Sequence, residues 1–246
     1  MRGRRIGLLP SSRVRNDILY FANKVPLLPI QRRMALGSLV KVRAACPHHP
    51  SWTVLFLKAF AIVAQQIPEL RRVYLGFPSP HLYEYPSSIG MVAFERQTDQ
   101  GMEVFGGKLK DPASRSLAEL MEAVRYFNET PPAKIKDFQR ILSFGRLPGL
   151  LRRLVIWVLL HWGRQRANFF GTFALSVYSA LGAESLRPLY PATVMLNYGV
   201  FAADGTVDVR LVYDHRVMDG VIVARALQSL EKILTESMVD EVATWR

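Results

Sequence analysis

The sequence predicts an α/β fold in a single domain, a two-layer sandwich in which helices cover a mixed β-sheet. Three observations carry this. The chain has 246 residues, of which 50% are apolar and 21% charged, enough for one sizeable core and too apolar for disorder. Segments of strand period and helix period alternate, with no low-complexity linker or internal repeat between them. Near the end, three strands follow closely on one another and a long amphipathic helix closes the chain.

The elements follow in order. Ser11 or Ser12 is placed to cap a helix through residues 17–23, which must stop before Pro26. Leu28, Ile30, Arg32, Met34 and Leu36 alternate with Pro29, Gln31, Arg33 and Ala35, a strand period. Residues 53–67 read as a helix ending at Pro68, apolar enough to be buried almost all round. Short strands at 73–75, 81–85 and 89–95 are separated by Gly-Phe-Pro-Ser-Pro and Pro-Ser-Ser turns, and 102–108 reads as another. Ser114 or Ser116 opens a helix to about Asn128, which Thr130-Pro131-Pro132 breaks. Two more helices are expected at about 133–143 and 148–163. Strands at 171–178, 193–203 and 206–213 come next, the last two joined by an Ala203-Asp204-Gly205 hairpin turn. Residues 220–236 form the closing helix, with Val223, Leu227, Leu230 and Leu234 on one face.

The net charge of +12 is mostly arginine and unevenly placed. Arg2, Arg4, Arg5, Arg13 and Arg15 precede the first acid, Asp17. Arg140, Arg146, Arg152, Arg153, Arg164 and Arg166 lie within 138–183, a stretch without Asp or Glu. Such a surface attracts polyanions, anionic lipid heads or a phosphate-bearing cofactor; generic solubilising charge is the plainer reading. No helix-turn-helix, zinc-finger or RNA-recognition pattern accompanies it, so nucleic acid is not an expected partner. The single Cys46 rules out a disulfide framework and fits a reducing compartment. The apolar stretch 6–10 is too brief for a signal sequence, and the run 154–162 falls far short of the roughly 20 residues that cross a bilayer. A cytoplasmic protein is expected, soluble or peripheral to a membrane. Cys46-Pro-His48-His49 lacks the four ligands of a closed zinc site, so no metal is expected, and Gly106-Gly107-Lys108 lacks the spacing of a phosphate loop.

The chemistry-bearing residues gather where the last strand meets the last helix. There the chain reads Leu211-Val-Tyr-Asp-His-Arg-Val-Met-Asp-Gly220. A histidine between a strand end and an Asp-Gly turn has its backbone held on both sides, and imidazole can take up and return a proton near neutral pH. Alone, a histidine among charges is more often a surface residue. Asp214-His215-Arg216-Val217-Met218-Asp219-Gly220, however, resembles the Asp-His-Arg-x-x-Asp-Gly signature of dihydrolipoyl acyltransferase catalytic domains, and the related His-x-x-x-Asp-Gly of chloramphenicol acetyltransferases. Gly171-Thr-Phe-Ala-Leu-Ser176 is similar to that family's Gly-Thr-Phe-Thr-Ile-Ser strand. Weaker likeness appears in Pro68-Glu-Leu-Arg and in Gly101-Met-Glu-Val ahead of Ser116-Leu-Ala-Glu-Leu120.

The resemblance implies a chloramphenicol acetyltransferase-like sandwich and an acyltransferase. Its substrates would be an acyl-CoA or acyl-carrier thioester as donor, with coenzyme A as co-substrate, and a thiol or hydroxyl acceptor, small or lipid-like. His215 would be the general base, Ser176 the oxyanion donor, and Asp219 a brace paired with one of Arg13 and Arg15. It further implies a homotrimer with each site between subunits, His215 from one and Ser176 from its neighbour. Residues 1–246 would form one catalytic domain. Lipoyl and subunit-binding domains, and a lipoyl group, are not expected on this chain, which disfavours transfer to a tethered lipoyl arm.

Two departures stand out. After Ser176 the chain continues Val-Tyr-Ser-Ala-Leu-Gly182 where the family has Asn or Ser and a Gly-containing turn, and the path from Ser176 to His215 is short. Residues 130–170 are an apolar, basic helical insertion without counterpart in either parent family. For its segment 147–166 three readings stand: a membrane-surface helix, a lid or trimer contact, and a plain core helix. A catalytically inactive trimeric scaffold and a peripheral membrane adaptor are the readings outside enzyme function.

Overall fold

Fifteen residues with almost no polar side can only be packed from every direction, and helix α3 (Trp52–Gln66) is the centre of the molecule. Ser51 caps it by accepting from Val54 N–H at 3.2 Å. Its one buried cation, Lys58, is paired with Glu241 near the far end of the chain. The computed structural model describes residues 3, 4, 6–99 and 101–245; Arg2 and Arg5, counted above in the basic N-terminus, lie outside the described residues.

Before α3 come α1 (Pro10–Ala22), β1 (Leu27–Ala35) and α2 (Gly37–Ala45). After it come β2 (Arg72–Leu75), β3 (His81–Glu84), β4 (Ile89–Thr98), β5 (Gly101–Lys110) and α4 (Leu117–Glu129). The insertion supplies α5 (Lys136–Gly145), α6 (Gly149–His161) and α7 (Gly163–Phe170). The chain closes with β6 (Phe173–Leu175), β7 (Val194–Tyr198), β8 (Thr206–Asp214), α8 (Gly220–Thr235) and α9 (Ser237–Thr244). Six strands form one mixed sheet in the order β1-β8-β7-β6-β4-β5. β6 runs parallel to both of its neighbours, and the other pairs are antiparallel. β2 and β3 form a separate two-stranded ribbon. α3, α4 and α8 contribute to the main core with the inner face of the sheet, the two-layer α/β sandwich expected.

Several boundaries moved for identifiable reasons. α1 begins at Pro10, a residue pre-set for a first helical position, and Ser11 serves a different purpose: its hydroxyl donates to buried Glu103 on β5. The Ser116 alternative is the real cap of α4, in a capping box with Glu119. β6 has three residues instead of the eight expected, because the chain leaves the sheet after Leu175. Gly171, two residues before it, has φ 71°, and a Cβ there would stand 2.8 Å from the Ile89 carbonyl oxygen. α2, α7 and α9 span too few turns for their period to stand out in the sequence.

The insertion packs on α1, and α6 inverts the usual pattern. Arg152 is 8% exposed while Leu150 is 85% exposed. Asp17 on α1 is the cause: its buried carboxylate accepts from Arg152 Nε at 2.8 Å and from Arg153 Nε at 2.9 Å. Pairing that acid sets Arg152 inward in line with Ile156 and Leu160 and leaves Leu150, Leu151 and Leu154 outward, so only one stripe of α6 lies in a core. Arg166 is buried too, and these two arginines add no charge to the surface.

Candidate active site

The loop after β8 is built by its own backbone. Asp214 N–H donates to Thr193 O at 3.0 Å, and His215 N–H donates to Pro26 O at 3.1 Å, tying the loop to the start of β1. Val217 N–H closes a turn onto Asp214 O at 3.0 Å, and the Val217 and Met218 side chains anchor the turn in the core. Asp214, 2% exposed, accepts from the Arg216 backbone N–H, from Nε at 2.9 Å and from Nη2 at 2.7 Å. The Arg216 guanidinium then lies 4.5 Å over the Tyr74 ring. Behind it Arg166 donates to the carbonyls of Tyr74, Leu160 and Pro191. Burial pulls the Arg166 guanidinium down to about 10, which still leaves it a cation at neutral pH beside Asp214.

That frame leaves His215 exposed with one defined bond. Its Nδ1 lies 3.1 Å from the Met218 carbonyl oxygen. A carbonyl can only accept, so Nδ1 carries the hydrogen and Nε2 keeps its lone pair outward. The ring meets Tyr213 edge-on at 5.8 Å. Burial, and secondarily the Asp219 carboxylate, raise the Tyr213 hydroxyl above its ordinary value and keep it neutral.

The remaining expected residues are placed as follows. Asp219 occupies the N-cap position of α8, exposed and without a side-chain capping bond. Neither candidate brace reaches it: Arg13 donates to Leu8 O at 3.1 Å and Arg15 to Ser12 Oγ at 3.2 Å, both local bonds on the α1 turn. Within one chain the ion pair of the histidine loop is Asp214–Arg216 instead. Ser176 follows β6, half-buried; its N–H donates to Leu196 O at 3.3 Å and its carbonyl accepts from Asn197 Nδ2.

Register separates Ser176 from His215. Leu175 pairs with Leu196, and Asn197 with Arg210, so Ser176 is level with Arg210, five residues before His215. Five residues of strand and two inter-strand spacings amount to roughly 20 Å. The two side chains therefore cannot meet one reacting group within a single chain. A shallow cleft of about 390 Å³ between β1 and α8, lined by Arg32, Gln228 and Glu231 among others, contains neither. Among the described residues no group of three or more His, Cys, Asp or Glu is placed to hold a metal ion. His48 instead stacks on Trp245 at 4.9 Å.

Three parts of this arrangement had no separate signal in the sequence. Asp214 and Arg216 were visible as part of the motif but not as a buried fork. The Met218 carbonyl belongs to the backbone, and in the sequence Arg166 looks like one more surface arginine.

In fold the chain is similar to a probable dihydrolipoamide acetyltransferase from Listeria monocytogenes 4b F2365, with a TM-score of 0.70, 14% identity, and 98% of this chain and 96% of that one covered. The dihydrolipoamide acetyltransferase of Azotobacter vinelandii gives a TM-score of 0.69 at 16% identity over 96% and 93% of the two chains. A chloramphenicol acetyltransferase gives 0.54 at 17% identity over 89% and 94%. No protein-family model and no curated protein matches the sequence. The chain thus has the fold shared by dihydrolipoamide acetyltransferases and chloramphenicol acetyltransferase. The structures it resembles are those of acyltransferases.

Proposed function

We propose that the protein is an acyltransferase in which His215 is the general base. The observation that carries this is the His215 ring itself, held by Met218 O so that a basic Nε2 points out of the loop. The similar Azotobacter vinelandii enzyme has had its mechanism probed through a serine, a histidine and an asparagine four positions after the histidine. His215 and Asp219 stand at the same spacing here.

In this reading Nε2 removes the proton from an acceptor S–H or O–H, and the acceptor's sulfur or oxygen bonds to the carbonyl carbon of a thioester, an acyl-CoA or acyl-carrier. Ser176 Oγ donates to the resulting oxyanion, one preorganised donor being worth roughly 3 kcal/mol of barrier. The tetrahedral adduct then breaks its carbon–sulfur bond, and the proton on Nε2 passes to the departing thiolate. No acyl-enzyme is needed. Because five strand residues and two inter-strand spacings put Ser176 and His215 of one chain roughly 20 Å apart, the serine would come from a neighbouring copy, in keeping with the homotrimer that the resemblance implies. Asp219 would hold the head of α8 beside the histidine. Coenzyme A would enter as substrate, and the acceptor could be small or lipid-like, the latter met at a membrane surface.

A mass-spectrometric screen of acyl-CoA donors against thiol and hydroxyl acceptors identifies the reaction, and His215→Ala tests the base. The expected result is a loss of about 100- to 10,000-fold in transfer with assembly unchanged. Full activity in that variant would end the mechanism.

A further inference from the structure

The water-facing half of α6 has the wrong chemistry for water. Around its circumference Arg152, Ile156 and Leu160 point inward, and Leu150, Leu151, Leu154, Trp157, Val158 and Trp162 lie on the exposed side. At 100° per residue the first five share one arc of about 120°, with His161 within it and Arg153 at its margin, and Trp162 follows directly after the helix. Phe77, at the tip of the β2–β3 ribbon, is exposed and meets the Trp157 ring at 5.6 Å, which widens the apolar face beyond the helix. A contiguous patch of this kind on a soluble surface marks something that covers it.

Charge identifies the cover. Arg146 precedes the helix and Arg164 follows it, both exposed and outside every ion pair of the described residues. No Asp or Glu occurs anywhere in 138–183. A second copy docking this face on itself would bring arginines against arginines. Anionic lipid meets both demands, with phosphate at the ends and acyl chains between, and the two tryptophans suit the boundary layer. The helix has 13 residues, about 20 Å, against a hydrocarbon layer of about 30 Å, and no helix of the described residues is long and apolar enough to span it. It would lie in the plane of the interface. We infer that the protein docks on anionic membrane through this face of α6, with Arg146 and Arg164 on lipid phosphates. The inference stands apart from the acyltransferase reading, since it uses none of the residues proposed for catalysis.

The footing of the helix supports a surface role. Arg152 and Arg153 both hold Asp17, which fixes α6 against α1 with Leu150, Leu151 and Leu154 outward. A helix merely awaiting a core would turn the other way.

The test is flotation with vesicles of equal parts phosphatidylcholine and phosphatidylglycerol, and with phosphatidylcholine alone, using the full chain. Binding is expected to the anionic vesicles only, weakening as salt rises above about 0.1 M, where exposed charges are screened beyond roughly 10 Å. Leu150→Ser with Leu154→Ser should lower vesicle affinity about 100-fold, roughly tenfold for each residue. Arg146→Glu with Arg164→Glu should abolish the preference for anionic lipid. All four residues are exposed, so thermal unfolding of either variant should match the parent, and light scattering should give the same mass. Failure of the parent to float at low salt would overturn the inference. So would unchanged binding by the leucine variant, or a change of oligomeric mass in it, which would make the face a contact between copies. Transfer between soluble substrates needs no vesicle, so loss of flotation with transfer intact sinks this inference alone, and loss of transfer in His215→Ala with flotation intact bears on the other.

Discussion

The histidine loop and the α5–α7 insertion each rest on a buried aspartate paired with arginine, and the two pairs are not equally readable. In the loop Asp214 is held by Arg216, two positions on, and the whole fork lies inside one short motif. In the insertion Arg152 is held by Asp17, 135 positions away on α1. The nearer pair shapes a turn that its own residues announce. The distant pair reverses the orientation of a helix, and nothing within that helix says so. Sequence pattern reports on partners that are close along the chain, and a long-range charge pair can overrule hydrophobic periodicity where it is buried.

Removing the distant pair's acid is the harsher insult. Asp17→Ala leaves Arg152 buried without its counter-charge, and breaking such a pair costs about 3 to 5 kcal/mol. Arg153 is half-exposed and can turn to water, so the lower end is expected, read as a fall in the denaturant midpoint. Asp17→Leu combined with Arg152→Met should recover much of that loss, because the desolvated charges leave together. A midpoint unmoved by Asp17→Ala would mean that the pair does not set the orientation of α6.

Asp214→Asn should cost less, about 1 to 2 kcal/mol, since the Arg216 side chain is one-third exposed and regains water. Its effect on transfer should exceed its effect on stability, because the turn that aims His215 is what loosens. Asp219→Asn is the contrast. Exposed and outside every ion pair of the described residues, it should stay within about 0.5 kcal/mol of the parent. If Asp219→Asn instead destabilised the assembled protein as much as Asp214→Asn, its carboxylate would be engaged across a subunit boundary.

Much of the fold was legible for the reason the loop was. β1, α3 and α8 carry long, regular apolar patterns, and each lies within a residue or two of its expected span. Ser116 and Glu119 form a cap whose two members are three positions apart. The Asp204-Gly205 turn was readable because only glycine suits φ 81°, with Gly37 packed against it. The site divides in the same way. His215, Asp219 and Ser176 stand on recognisable motifs, but the Met218 carbonyl, the Arg166 support and the Asn197 bond to the Ser176 carbonyl depend on register and tertiary approach. The brace expected from Arg13 or Arg15 belongs to this second kind, a long-range pairing that the resemblance implies and that both arginines, in local bonds on α1, do not make within one chain.

The separation of Ser176 from His215 makes one measurement decisive. His215→Ala and Ser176→Ala subunits, each expected to be nearly inactive in transfer, can be co-expressed in equal amounts and purified as mixed assemblies. With the site shared between copies, random assortment pairs an intact histidine with an intact serine in about a quarter of the sites, so about a quarter of the parent activity should return. Activity no greater than the sum of the two variants measured apart would contradict a site built from His215 of one subunit and Ser176 of the next.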